Sequence, residues 1–141
     1  MAFENPTREW IKDILEEAGN VAVVGLSDKP DRTSHMVAAA LQARGYRIIP
    51  VNPNATEILG EKCYPTLRDI PEPVHIVDVF RRSEEVLPIA EEAVAIGAKV
   101  FWLQTGIINE EAAKAAGDGG LTVIMDRCIK VEDAVLRPNR S

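Results

Sequence analysis

The sequence predicts an open, doubly wound α/β fold, a mostly parallel five-stranded sheet with helices on both faces. Two observations carry this reading. Five short apolar runs rich in β-branched residues recur along the 141 residues, and such near-continuous runs fit strands covered on both faces. Stretches of helical period separate them, and a strand–helix–strand repeat folds by right-handed crossovers onto a parallel sheet.

The elements follow in order. A leading helix from about Thr7 to Ala18 carries Trp10, Ile11, Ile14 and Leu15, and Trp10, like Trp102 further on, reads as a core residue. The first strand, Val21 to Val24, closes at Gly25. The helix from Ser34 to Arg44 puts Val37, Ala40 and Leu41 on one face and stops at Gly45. The second strand, Tyr46 to Ile49, runs into Pro50-Val51-Asn52-Pro53. Proline cannot donate to a ladder, so this strand is expected to fray or end at Pro50. The third strand spans Val74 to Val79, with His75 in a structural place near its start. Glu84 to Ile96 forms the next helix, with Ala90, Ala93 and Val94 inward and Gly97 after it. Its start has two readings, Ser83 as cap or Pro88 at the first helical position. Val100 to Leu103 is the fourth strand. Asn109 caps a helix from Glu110 to Ala116 that Gly117 ends, and Leu121 to Met125 is the fifth strand. Leu136 to Ser141 reads as a loose tail. With no repeat, low-complexity tract or linker, the chain reads as one domain over residues 1–141 with a core at about 20–130.

Composition narrows the function classes. A net charge of −6 and a pI near 5.0 argue against a broad nucleic-acid or anionic-membrane surface, which needs a positive field. No run approaches the roughly 18 apolar residues of a membrane helix. Met1-Ala2-Phe3-Glu4-Asn5-Pro6 has no basic region leading into an apolar stretch, so a cytoplasmic location is expected. Cys63 and Cys128 cannot form a disulfide framework, and no CxxC pair suggests zinc. Cys63 is expected in a surface connection. Cys128 reads as packing, with a reactive thiol as the other reading.

In open parallel sheets ligands bind beyond the carboxyl ends of the strands, where the strand order reverses. The first loop there is Gly25-Leu26-Ser27-Asp28-Lys29-Pro30-Asp31-Arg32-Thr33-Ser34-His35. A glycine directly after the strand permits close approach of a ligand to backbone, and the following helix presents free N–H groups that suit a phosphate. Lys29, Arg32 and His35 add positive character, partly offset by Asp28 and Asp31. The plainer reading is a solvated loop whose glycine makes the turn. Phe80-Arg81-Arg82 follows the third strand directly, so two guanidiniums stand at the ligand edge of an acidic chain. Arginine matches phosphate oxygens by forked hydrogen bonds; pairing with Glu84 or Glu85 is the structural alternative. Glu110 and Glu111 already complement their own helix dipole, which leaves the phosphates to the first loop and Arg81-Arg82.

Several motifs are missing. Ser27 and Pro30 stand where GxGxxG needs its later glycines, and Val51-Asn52-Pro53 holds neither the carboxylate that reads the ribose of NAD nor a basic residue for NADP. Ser27 lacks the GxSxG surroundings of a nucleophile elbow, there is no Walker loop, and metal ligands have no HExxH or calcium-loop spacing. A binding module is more economical than an enzyme.

These blocks resemble a known family, the small stand-alone CoA-binding proteins, similar to the CoA-binding Rossmann-like domain of the succinyl-CoA synthetase α subunit. The match runs through Val23-Val24-Gly25-Leu26-Ser27 with Lys29-Pro30, Gly45-Tyr46-Arg47-Ile48-Ile49-Pro50-Val51-Asn52-Pro53, and Gly60-Glu61-Lys62-Cys63-Tyr64-Pro65. It continues in Val77-Asp78-Val79-Phe80-Arg81-Arg82, Gly97-Ala98-Lys99-Val100-Phe101-Trp102-Leu103-Gln104 and Met125-Asp126-Arg127-Cys128. The resemblance implies coenzyme A as ligand, with Gly25, Leu26, Ser27 and Lys29 against its diphosphate. It implies Asn52 and Pro53 beside the adenosine, and Phe80, Arg81 and Arg82 at the nucleotide end. Arg32 joins them from the loop reading. The synthetase carries its phosphohistidine in a second domain that these 141 residues do not contain, so the resemblance supports CoA or acyl-CoA binding and no ligase chemistry by this chain alone. The competing readings are a component of an acyl-CoA ligase or transferase acting with another chain, and an NAD(P)-binding redox or sensor domain.

Overall fold

The apolar runs pair as expected. The computed structural model describes residues 3–139. Among them are the strands β1 (Asn20–Val24), β2 (Arg47–Val51), β3 (Glu57–Ile58), β4 (Glu61–Lys62), β5 (Ile76–Val79), β6 (Val100–Leu103) and β7 (Thr122–Ile124). The helices are α1 (Arg8–Glu17), α2 (Thr33–Ala43), α3 (Val86–Ala95), α4 (Glu110–Asp118) and α5 (Ile129–Leu136). Five strands form one parallel sheet in the order β2-β1-β5-β6-β7, and β3 and β4 make a separate antiparallel hairpin. The chain winds outward from β1 to β2, then in the other direction from β5 through β6 to β7. The reversal therefore falls between β1 and β5, where Val24 is in register with both Val51 and Val79.

Side chains alternate between two cores because successive strand residues point to opposite faces. Val21, Val23, Ile48, Ile76, Trp102 and Ile124 pack with Ile11, Leu15, Leu41 and Ile129 of α1, α2 and α5. Ala22, Ile49, Val77, Phe101 and Leu103 pack with Val86, Ala90, Ala93, Ala112 and Ala116 of α3 and α4. Burying each large aliphatic side chain contributes about 1.5–3 kcal/mol. The reading of a doubly wound α/β sheet with helices on both faces is correct.

Local differences have physical reasons. β2 continues through Pro50 to Val51. It is the edge strand, and the Pro50 carbonyl points outward to accept the Tyr64 N–H at 3.0 Å. The proline nitrogen therefore faces away from β1 and removes no ladder bond. Trp10 is 53% exposed, not core. α1 buries Ile11 and Leu15 at the i, i+4 spacing, which turns the residue before Ile11 toward solvent. Cys63 is buried behind the β2 edge, not in a surface connection. Neither start proposed for α3 is used. Ser83 opens a 3-10 turn to Glu85, its Oγ accepts the Ile108 N–H at 3.1 Å, and Pro88 lies in the first turn rather than at its head. α4 is capped by Asn109, whose side chain accepts the Ala112 N–H at 2.9 Å, but it passes through Gly117 to Asp118. The expected loose tail is tied down at its first two residues, Leu136 and Arg137, while Pro138 and Asn139 beyond them are exposed. α5 runs to Leu136, and Arg137 Nη1 donates to Leu15 O at 2.6 Å and to Tyr46 Oη at 2.9 Å. Asp133, fully buried, accepts from Tyr46 Oη and pairs with Arg44 on the same side. The last two residues of that tail, like Met1 and Ala2, lie outside the described residues.

Candidate functional site

The carboxyl ends of β1 and β5 are held together by a backbone clamp. Gly25 sits at φ +84° and donates its N–H to Val51 O at 2.9 Å. A Cβ on it would lie 2.4 Å from the Phe80 carbonyl oxygen, while Phe80 donates its own N–H to Val24 O at 2.9 Å. The close approach that the sequence suggested for a ligand is thus made by the protein's own chain, and it fixes where the two loops open.

The loop after β1 is largely self-satisfied. Ser27 N–H donates to Ser34 Oγ at 3.0 Å, Ser27 Oγ accepts the Lys29 N–H at 3.1 Å, and His35 Nδ1 lies 2.8 Å from Ser27 O. Leu26 is fully buried, so only its backbone reaches the site, and its carbonyl accepts from Asn52 Nδ2 at 2.9 Å. Asn52 also accepts the Asn54 N–H at 2.8 Å, and its carbonyl accepts from Cys63 Sγ at 3.4 Å. Burial pushes the Cys63 thiol up despite that bond to Asn52, so it stays a neutral packing group. Asn52 therefore stitches the second loop to the first, with Pro53 exposed beside it.

Charge gathers around this frame. Lys29 and Arg32 have no side-chain ion pair among the described residues, and Arg32 is the N-cap of α2, whose first turn holds no acid. The first bond of that helix runs from Met36 N–H to Arg32 O, so the N–H groups of the turn point free toward the loop, the arrangement that favours an anion. Arg81 Nε contacts Glu85 Oε2 at 3.2 Å, and Arg82 lies 3.9 Å from Glu84. The pairing alternative is thus real for both arginines. Both pairs are exposed, and such pairs contribute about 0–1 kcal/mol, little hindrance to exchange for a phosphate.

Three clefts share walls along this edge. The first, about 370 Å³, is lined by Gly25, Ser27, Asn52, Asn54, Phe80, Arg81, Arg82 and Glu85. The second, about 400 Å³, adds Lys29, Arg32, Thr33 and Ser34. The third, about 450 Å³, continues past Phe80 to Gln104, Thr105, Ile107 and Cys128 above β5 and β6. The structure therefore brings Gly25, Ser27, Lys29, Arg32, Asn52, Phe80, Arg81 and Arg82 to one trough. Pro53 lines a neighbouring hollow with Asp28 and Asn54. Thr33, Ser34, Asn54 and Gln104 line the trough as well; they stand in loops that the sequence places at this edge, but sequence reasoning did not single them out as contacts. The free first turn of α2 was the available signal for the first two.

A model of the CoA binding domain matches residues 19–134. The chain belongs to the CoA-binding domain family. Over 135 residues this CoA-binding domain is 53% identical to "Uncharacterized protein YneT" of Bacillus subtilis strain 168, covering 96% of this chain and all of that one. It superposes on a hypothetical protein from Pyrococcus horikoshii OT3 with a TM-score of 0.90 at 38% identity, covering 96% and 99% of the two chains. It is 32% identical over 99 residues to Acetate–CoA ligase [ADP-forming] II of Archaeoglobus fulgidus, covering 69% of this chain but 15% of the ligase. The domain is thus homologous to the CoA-binding region of the ADP-forming acetyl-CoA synthetases, a succinyl-CoA synthetase-like family. No helix among its described residues is long and apolar enough to cross a membrane.

Beneath the third cleft this CoA-binding domain buries a polar pair, Asp78 and Gln104. Gln104 Nε2 donates to Asp78 Oδ1. Burial pushes the Asp78 carboxyl up to about 8 from 3.8, against the Gln104 bond that lowers it, so the acid is neutral at pH 7. Asp78 is sealed within the sheet, and Ser27 has no imidazole or carboxylate at its hydroxyl among the described residues, so the trough presents contacts and charge for holding an anion.

Proposed function

We propose that this chain binds coenzyme A or an acyl-CoA along the trough, as a binding module without chemistry of its own. One observation carries the reading. Among the described residues Lys29 and Arg32 stand without ion partners beside the open N-terminus of an 11-residue helix, at the point where the strand order reverses. Coenzyme A brings a diphosphate and a 3′-phosphate to such a place. The diphosphate suits the α2 turn with Lys29 and Arg32, and Arg81 and Arg82 face the nucleotide end, consistent with the family match. The absence of a carboxylate in Val51-Asn52-Pro53 supports a phosphorylated ribose over NAD.

Isothermal titration with CoA, dephospho-CoA, NAD and NADP tests this. CoA is expected to bind tightest, and a preference for NAD overturns the reading. Replacing Arg81 and Arg82 together by Ala is expected to weaken CoA about tenfold, a modest share of two charge-assisted contacts. The unfolding midpoint should stay in place, since both side chains are exposed. A folded double variant that binds CoA normally removes the phosphate role assigned to them.

A further inference from the structure

The third cleft has a polar floor that packing does not require. Asp78 is the one acidic residue of β5, fully buried and in register between Val23 and Trp102 of the neighbouring strands. One of its oxygens has no hydrogen-bond partner among the described residues. Its other oxygen takes the Nε2–H of Gln104, itself 4% exposed. An apolar pair of the same shape is nearly neutral for stability, whereas an orphaned buried oxygen costs about 1–3 kcal/mol. The dyad therefore lowers stability and calls for another use.

Gln104 supplies it. The only side-chain hydrogen bond of Gln104 among the described residues uses Nε2, so none engages its amide oxygen, and the residue is 4% exposed where it meets the cleft. Gln104 lines the cleft together with Phe80, Thr105, Ile107 and Cys128. We infer that Asp78 is a positioning residue for ligand binding: it holds Gln104 by the Nε2–H so that Oε1 faces the cleft and accepts an N–H from the amide-bearing arm of the ligand. The inference rests on the CoA reading, whose nucleotide half occupies the α2 end of the trough and whose arm carries secondary amides. A free carbonyl acceptor in a largely apolar cleft selects a donor, and an amide N–H on a flexible chain supplies one without adding charge. The neutral state of Asp78 at pH 7 lets it stand in the core without a counter-ion while it serves as acceptor.

The test compares CoA with adenosine 3′-phosphate 5′-diphosphate, its nucleotide half, by isothermal titration on the folded protein. The wild type is expected to bind CoA at least about tenfold tighter than the half. Asp78→Leu and Gln104→Met are expected to lose about five- to tenfold for CoA while holding the half within about twofold. Asp78→Asn, whose amide oxygen still accepts from Gln104, is expected to restore CoA affinity. If Asp78→Leu does not fold, Gln104→Met and the wild-type ratio still decide. Equal wild-type affinity for both ligands, equal losses for both in the variants, or Asp78→Asn as weak as Asp78→Leu overturns the positioning role and leaves CoA binding standing. A wild type that binds neither ligand overturns the CoA reading itself.

Discussion

At the scale of a residue, Gly25 carries the sharpest geometric demand. Its positive φ alone costs an L-residue about 1–2 kcal/mol, and the Phe80 oxygen, 2.4 Å from where a Cβ would stand, is backbone that cannot rotate aside. Gly97 is a natural control, with φ +73° and nothing within 4 Å of its added Cβ. Gly25→Ala is expected to destabilise by about 3 kcal/mol and Gly97→Ala by about 1 kcal/mol, because only the first adds overlap to strain. Urea midpoints at unchanged m-value measure both. Equal losses would remove the clamp between the β1 and β5 loops from the account. The same clamp explains why a glycine could be found at the site from sequence and its contact could not. Position follows from the end of an apolar run, whereas the Phe80 carbonyl reaches it only through the pairing of β1 with β5.

At the scale of an element, β5 makes stability depend on pH. Asp78 has its carboxyl at about 8 in the fold and near its ordinary 3.8 when unfolded. Between those values the folded state keeps a proton that the unfolded state has lost, so stability is full below about pH 4 and falls as pH rises through 8. The slope from this group approaches about 1.4 kcal/mol per pH unit. Asp78→Asn cannot ionise, so its stability relative to the wild type is expected to grow from pH 5 to pH 8, read from urea midpoints at each pH. A difference constant across that range sinks the assignment. Elements also show what period could reveal. β1, β5 and β6 read as apolar runs, α2 by its stop at Gly45 and α4 by its cap Asn109. α5 escaped because two buried acids, Glu132 and Asp133, interrupt the apolar stripe that marks a helix, and Arg44 and Arg8 pair with them from far along the chain. The β3–β4 hairpin has two residues per strand, too few for alternation to register. The Asp78–Gln104 pair likewise needs the β5–β6 register before two residues 26 apart become neighbours.

At the scale of the whole molecule, a chain of net charge −6 is proposed to bind a polyanion, and the two facts act over different distances. Around the trough Lys29, Arg32, Arg81 and Arg82 are balanced in number by Asp28, Asp31, Glu84 and Glu85. An approaching ligand therefore meets a near-neutral mouth on a negative body. Far from the surface the net charge repels it, over a screening length of about 30 Å at 0.01 M salt and about 8 Å at 0.15 M. In contact, Lys29 and Arg32, which have no ion pair among the described residues, and the exchangeable arginines are proposed to hold it, and added salt would weaken that hold. Stopped-flow measurement with CoA between these two salt concentrations is expected to show an association rate that stays level or rises with salt, and a dissociation rate that rises. The usual steered complex behaves the other way in association, slowing steeply as salt is added. Such slowing here would mean that the positive groups govern the field well beyond the trough, and that the acids beside them do not cancel it.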